Sequence, residues 1–289
     1  MIFKGFYLIL LVTVIVAQDA PFFIYCSSEQ CIEPNKVLCE RNPPCGPLGD
    51  CRGLPMTEAL RFTITHLHNQ VRAMTATTTP GASKMRALQY NKDLETIAQC
   101  WINTCTSEKS ACLITPQYKT FGQNLGEIDL YDKPSEDILS DPASLWQEMM
   151  TMWTEEVNNV NAEIIQKLPA VEEMYRYLHY IQIVTDYTAH LGCAWSSSNE
   201  TIHFACFYGP PGGISGVSVY EFGTFCSKCP YGTECYKPLG LCAEVKTHVQ
   251  HWKAKLLRKN VSGSEISTSV NSWIYLVYCL SKILVVNLN

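Results

Sequence analysis

From Thr57 onward, apolar residues at Leu60, Ile64, Leu67, Val71 and Met74 step by four and three, which is the period of one buried stripe on an amphipathic helix. Thr57 precedes the stripe as an N-cap, because its hydroxyl can accept from a backbone N–H of the first turn. Asn91 opens a second helix whose inner side carries Leu94, Ile97, Ala98 and Trp101, and a third begins near Asp141 with the stripe Leu145, Met149, Trp153 and Val157. Beyond Pro169 the texture changes. Tyr180–Thr185, Leu191–Trp195 and Ile202–Tyr208 are short runs rich in aromatic and β-branched residues, and such runs read as strands. Ser196-Ser197-Ser198-Asn199 separates the last two as a hairpin turn, and Gly209-Pro210-Pro211-Gly212-Gly213 ends the last. Helices precede strands rather than alternating with them, so an α+β layered domain is expected rather than a doubly wound sheet.

The ends of the chain carry different patterns. Residues 1–17 hold Lys4, an apolar run from Phe6 to Val16 and then Ala17 before Gln18 and Asp19, the layout of a cleaved secretory signal. Trp273 to Val286 form a second apolar run of 14 residues interrupted by Lys282, shorter than the roughly 20 residues that span a bilayer. A formal charge of −5 with no Lys/Arg block removes the electrostatic basis for nucleic-acid binding.

Fifteen cysteines follow from one end to the other. In an exported chain they read as disulfides, and setting aside Cys279 in the apolar tail leaves 14, enough for seven bridges. Their spacing partitions the chain. Cys26, Cys31, Cys39, Cys45 and Cys51 lie in a Pro/Gly-rich arm over residues 18–56 without helical or strand periodicity, which needs bridges because it buries no core of its own. Cys100, Cys105 and Cys112 follow a helical pattern, Cys193 and Cys206 sit on the two strands of the hairpin, and Cys226, Cys229, Cys235 and Cys242 crowd residues 220–243. Cross-strand neighbours lie close enough to bridge, so Cys193–Cys206 is an expected pair. The spacing of the last four also suits zinc, but export makes two disulfides the better reading. A linker over 244–272 and the tail over 273–289 complete the chain.

Motifs for covalent chemistry are missing: the chain has no Gly-x-Ser-x-Gly elbow, His-Glu-x-x-His helix, phosphate loop or dinucleotide fingerprint. Four other segments occur in order: His68-Asn69-Gln70-Val71-Arg72, Gly122-Gln123-Asn124-Leu125, His179-Tyr180-Ile181-Gln182-Ile183-Val184 and Cys206-Phe207-Tyr208-Gly209-Pro210-Pro211-Gly212-Gly213. Together they resemble the CAP superfamily of cysteine-rich secretory, antigen 5 and pathogenesis-related proteins. The cysteine-rich ends resemble those of arthropod, especially insect, antigen 5 (venom allergen-like) proteins. The resemblance implies a three-layer α-β-α sandwich with an antiparallel central sheet over residues 57–219. It also implies Cys105 and Cys112 as anchors for the N-terminal arm, so Cys100 and the odd arm cysteine read as a matched addition, with Cys39, Cys45 or Cys51 as its partner.

Family members place two histidines and two acidic residues around a central cleft. The resemblance maps the histidines to His68 and His179, and the acidic positions to Gln123 and Gln89. Further departures are Leu178, Ile181, Thr185 and Phe207. Neutral amides neither transfer protons nor balance a divalent charge as carboxylates do. His68 and His179 are therefore an incomplete zinc site, since zinc usually takes three protein ligands plus water, or four; no cofactor is required, and any zinc there is weakly held. Asn69 and Arg72 read as hydrogen-bond donors that hold the fold, and Met149, Met152 and Trp153 as helix core, with lipid contact as the alternative. Two functions follow: a secreted or surface-tethered non-enzymatic binder of a protein, lipid or sterol partner, which the missing carboxylates favour, or a weak metal-dependent hydrolase using the His68/His179 cleft.

Asn199-Glu200-Thr201 and Asn260-Val261-Ser262 are glycosylation sequons. Small residues Ser262, Gly263 and Ser264, an eight-residue spacer and the short apolar tail match a glycosylphosphatidylinositol signal. An uncleaved tail packed as an appendage is the alternative, with a membrane span third because Lys282 would sit inside it.

Overall fold

The computed structural model describes residues 45–106, 109, 113–130, 140–199 and 201–244. The signal sequence, Cys26, Cys31, Cys39, Cys112, Asn260, residues 262–264 and the apolar tail lie outside the described residues. No helix among those described is long and apolar enough to cross a membrane.

In chain order the elements are β1 (Arg52–Gly53), α1 (Glu58–Thr77), β2 (Gln89–Tyr90), α2 (Lys92–Ile102), β3 (Gly122–Asp129), α3 (Pro142–Glu155), α4 (Ala162–Gln166), α5 (Leu178–Val184), β4 (His190–Ser197), β5 (Thr201–Gly209), β6 (Thr233–Tyr236) and β7 (Leu241–Glu244), with a 3-10 turn at Glu156–Asn159. The first three long helices start where the sequence places them. Thr57 Oγ1 accepts from Leu60 N at 3.1 Å, Asn91 Oδ1 from Leu94 N at 2.9 Å, and Asp141 Oδ1 from Ser144 N at 3.2 Å.

The sheet runs β1-β4-β5-β3, antiparallel throughout, with the two-residue β2 added parallel to the start of β4. Side chains alternate across it. Cys193, Trp195, Phe204, Cys206 and Tyr208 face a core filled from α1, α3 and α5, whereas Leu125, Ala194, Ala205 and Phe207 face Leu94, Ile97, Ala98 and Trp101 of α2. The architecture is the expected α-β-α sandwich. α2 lies so close to the sheet that a Cβ at Gly192 would stand 2.2 Å from Glu95 N and 2.5 Å from Asn91 O, so any side chain there would lift the helix off β4.

Two expectations fail. Tyr180–Thr185 is not a strand: Leu178–Val184 form α5. Tyr180, Ile181, Gln182, Ile183 and Val184 are all buried, and a helix covered on every side shows no polar face, so its β-branched residues imitate a strand. On α1 the fully buried residues are Leu60, Ile64, His68, Arg72, Thr75 and Ala76, while Leu67, Val71 and Met74 are only partly covered. The buried stripe is thus turned by about one residue from the hydrophobic one and carries polar groups.

Arg72 explains that rotation. Its guanidinium has no exposure and donates to five backbone carbonyls: Nε to Arg86 O (2.7 Å), Nη1 to Ile183 O (2.7 Å) and Thr185 O (2.8 Å), and Nη2 to Asp186 O (3.3 Å) and Thr188 O (3.1 Å). Burial lowers its pKa to about 9, opposed by the Asp186 carboxylate, so it is charged at neutral pH. Asn69 plays a similar part nearby, donating to Leu88 O at 2.9 Å and accepting from Leu88 N at 2.8 Å.

Five disulfides staple the described chain. Cys45–Cys100 and Cys51–Cys105 tie the arm to α2 and to the residues just after it, assisted by β1 pairing with the end of β4, a strand not expected in the arm. Cys193 and Cys206 are register partners on β4 and β5, joined at a Cα separation of 4.1 Å. Cys226–Cys235 and Cys229–Cys242 close the C-terminal hairpin.

Replacing Arg72 by Met leaves five buried carbonyls to find new donors, and denaturant unfolding is expected to show a loss of about 3 to 5 kcal/mol, with Arg72→Lys recovering only part of it. Cys100→Ser is expected to expose one new thiol, at Cys45, and to cost about 2 to 4 kcal/mol; non-reducing peptide maps of the parent should show Cys45 linked to Cys100.

Candidate functional site

The residue pair with the geometry of a site is His179 and Glu156. Glu156 opens the 3-10 turn that follows α3, and His179 is the second residue of α5. Glu156 Oε2 accepts from the backbone N–H groups of His179 (2.8 Å) and Tyr180 (3.0 Å), while Oε1 lies 2.6 Å from His179 Nδ1. One carboxylate thus satisfies orphan donors at the start of α5 and fixes the ring of a histidine beside them. The imidazole also stacks on Trp153, with centroids 6.0 Å apart and planes 15° apart. His179 keeps 30% side-chain exposure and Glu156 18%, so the pair is reachable from solvent. Its Nδ1–H faces the carboxylate, and Nε2 has no hydrogen bond among the described residues. Lys109 is within electrostatic reach: partial desolvation lowers its pKa, and the Glu156 charge opposes that shift.

His68 is not in this site. It is completely buried on α1, with Nδ1 2.8 Å from Ile64 O and Nε2 2.8 Å from the Tyr208 hydroxyl. The hydroxyl also accepts from Asn124 Nδ2 at 3.2 Å, and the same amide nitrogen donates to His179 O at 3.0 Å. The directions are mutually consistent: Asn124 donates to Tyr208, Tyr208 donates to His68 Nε2, and His68 Nδ1–H donates to the helix carbonyl. Both ring nitrogens are consumed, and the two histidines are joined through the core rather than facing each other across a cleft. Burial pulls His68 down to about 4 and keeps it neutral.

The two glutamines are apart as well. Gln123 pairs with Phe207 in the β3–β5 register, so alternation puts it on the α2 side of the sheet, opposite Asn124. Gln89 lines a cavity between α1 and the C-terminal hairpin. The structure therefore does not bring His68, Gln89, Gln123 and His179 into one cleft. It supplies instead a carboxylate, Glu156, that the mapping missed. The signal was present in the chain: Glu156 stands three residues after Trp153, just past the stripe of α3, where i and i+3 share a helical face.

These donors do not make a zinc site. With His68 sealed, one imidazole nitrogen and one carboxylate remain, short of three protein ligands. Cys226, Cys229 and Cys242 bring their sulfurs within 4.8 Å of one another, but each is in a disulfide and offers no thiolate. At the far end of the sheet, Asn199 lies exposed in the β4–β5 turn with its backbone N–H on Asp50.

A sandwich of this form, with the cysteine bridges at both ends and the histidine at the start of α5, defines a class. Residues 65–208 match the model of the cysteine-rich secretory protein family, CAP. Venom allergen 3 of Solenopsis invicta is 30% identical over 216 residues, covering 68% of this chain and 88% of that protein. Venom allergen 5 of Vespa magnifica is 27% identical over 236 residues, 75% of this chain and 98% of that protein. The crystal structure of NaASP2 with Zn2+ superposes with a TM-score of 0.54 at 27% identity, covering 65% of this chain and 96% of that one. The chain belongs to the CAP family and is an antigen 5-like member of it.

Because the folded His68 has a lower pKa than an unfolded histidine, the unfolded state takes up its proton first as pH falls. The stability that His68 contributes is whole above pH 6.5 and is lost toward pH 4, by about 3 kcal/mol. Denaturation midpoints measured across that interval should fall steeply in the parent and less steeply in His68→Gln, which should be less stable than the parent at pH 7.

Proposed function

We propose that the protein is an exported, disulfide-clamped, non-enzymatic binding protein, which presents the CAP sandwich to a protein, lipid or sterol partner. The observation that carries this reading is the sealing of His68 by Ile64 and Tyr208. Of the two motif histidines only His179 reaches the surface, bound to Glu156 and stacked on Trp153. Among the described residues no hydroxyl or thiol is hydrogen-bonded to it, so the Glu156–His179 pair has no nucleophile to activate for covalent hydrolysis. Glu156 is itself engaged with two backbone N–H groups, which suits a helix cap better than a base that must give and take protons. Five bridges in the described region support an oxidising destination.

A weak metal-dependent hydrolase is the second reading, favoured by the Zn2+ named for the NaASP2 crystal structure. The two separate in one experiment on the purified full chain: metal analysis after mild dialysis, followed by turnover of peptide and ester libraries with and without added zinc. Substoichiometric zinc and no turnover are expected. Stoichiometric zinc with hydrolysis that disappears in His179→Ala would establish the hydrolase instead.

A further inference from the structure

We propose that the cavity between α1, β2 and the C-terminal hairpin is a binding site for an uncharged, ring-bearing small molecule. This deepens the reading of the protein as a binder and rests on residues away from the Glu156–His179 pair. The cavity has a volume of about 490 Å³, within the range of about 300 to 1,000 Å³ of small-molecule pockets. Its walls come from three parts of the chain: Asn69 ties α1 to Leu88, and backbone bonds from Ala87 N to Cys242 O (2.9 Å) and from Cys242 N to Met85 O (2.8 Å) hold the hairpin against the approach to β2.

Rings dominate the lining. Phe62 and His66 on α1 lie nearly parallel, 4° apart with centroids at 5.9 Å, and Tyr90 and Tyr236 line the cavity from β2 and the hairpin. Phe62 is 42% exposed, on a helix whose other side is packed. The Tyr90 hydroxyl is committed to Glu95 at 2.6 Å and Cys193 O at 3.0 Å, so what this residue offers a ligand is its ring. Flat rings pack against such walls by offset or edge contacts.

Charge decides the rest. Every charged group in the lining already has an opposite partner: Arg61 is held by Glu95 through two bonds of 2.5 and 2.6 Å, Lys92 reaches Glu58 at 2.9 Å, and Glu244 reaches Arg86 at 3.6 Å. A charged ligand would have to break one of these pairs or go unpaired. Asn69 is consumed by Leu88. The Gln89 side-chain amide, by contrast, makes no hydrogen bond among the described residues and lines the cavity, so it can give or accept one bond with a hydroxyl, carbonyl or secondary amine. An uncharged ring system with one such group satisfies all these constraints.

The test titrates the full-length oxidised protein with N-phenyl-1-naphthylamine, an uncharged aromatic dye that brightens in apolar surroundings, beside the anionic 8-anilino-1-naphthalenesulfonate. Saturable one-site binding of the neutral dye is expected, with the sulfonate about tenfold weaker. Phe62→Ala should weaken the neutral dye by about tenfold, and Thr65→Trp, which fills the cavity from α1, should abolish binding. Circular dichroism and a thiol count establish that the variants fold; if Thr65→Trp does not, Leu239→Lys blocks the cavity from the hairpin side. Absence of saturable binding, equal affinity for the sulfonate, or binding that survives blocking but is lost in His179→Gln would overturn the proposal. Turnover in the zinc assay would instead sink the non-enzymatic reading and leave the dye titration standing, so the two failures are distinguishable.

Discussion

A single buried cation organises the molecule. The Arg72 guanidinium gathers the carbonyls of Arg86, Ile183, Thr185, Asp186 and Thr188, and these lie on the approach to β2, at the end of α5 and on the turn joining α5 to β4. Asp186 in turn accepts from Glu221 N at 3.0 Å, so the entrance to the C-terminal extension is fastened to the same point. Carbonyl dipoles stabilise the charge without a carboxylate touching it, and the backbone geometry that supplies them is therefore fixed in place. β2, the start of β4 and the hairpin behind them inherit their positions from α1.

Much of the architecture was legible from spacing. The caps Thr57, Asn91 and Asp141 and the stripes behind them mark three helices because each is half exposed, and only a half-exposed helix alternates between apolar and polar residues. Where both sides are covered that contrast vanishes. α5 reads as a strand for this reason, and β3 was not recognised as a strand because Gly122-Gln123-Asn124 is polar at its start although Asn124 is buried. The orientation of α1 was misread on different grounds: His68 and Arg72 are interior groups satisfied by hydrogen bonds, and hydrophobicity alone ranks them as surface.

The site was legible only in part. His179 is where the motif places it, while its partner Glu156 comes from a separate element 23 residues earlier, a proximity created by the packing of α3 against α5. The mapping of His68 to the cleft failed because a histidine in a motif can serve as a core hydrogen-bond relay as readily as a ligand. What distinguishes the two is the occupancy of both ring nitrogens, which is a three-dimensional fact.

The order β1-β4-β5-β3 leaves β3 at the rim of the sheet, and among the described residues no strand pairs with its outer side. A rim strand is an open template on which another chain can crystallise its own backbone. Here Glu127 and Asp129 are exposed on that strand, two negative charges set two positions apart on one face. A second copy laid alongside would oppose like charge to like charge before its ladder could close. The acidic rim thus disfavours edge-to-edge pairing of two copies, which matters for a fold whose bridges hold that edge permanently on display.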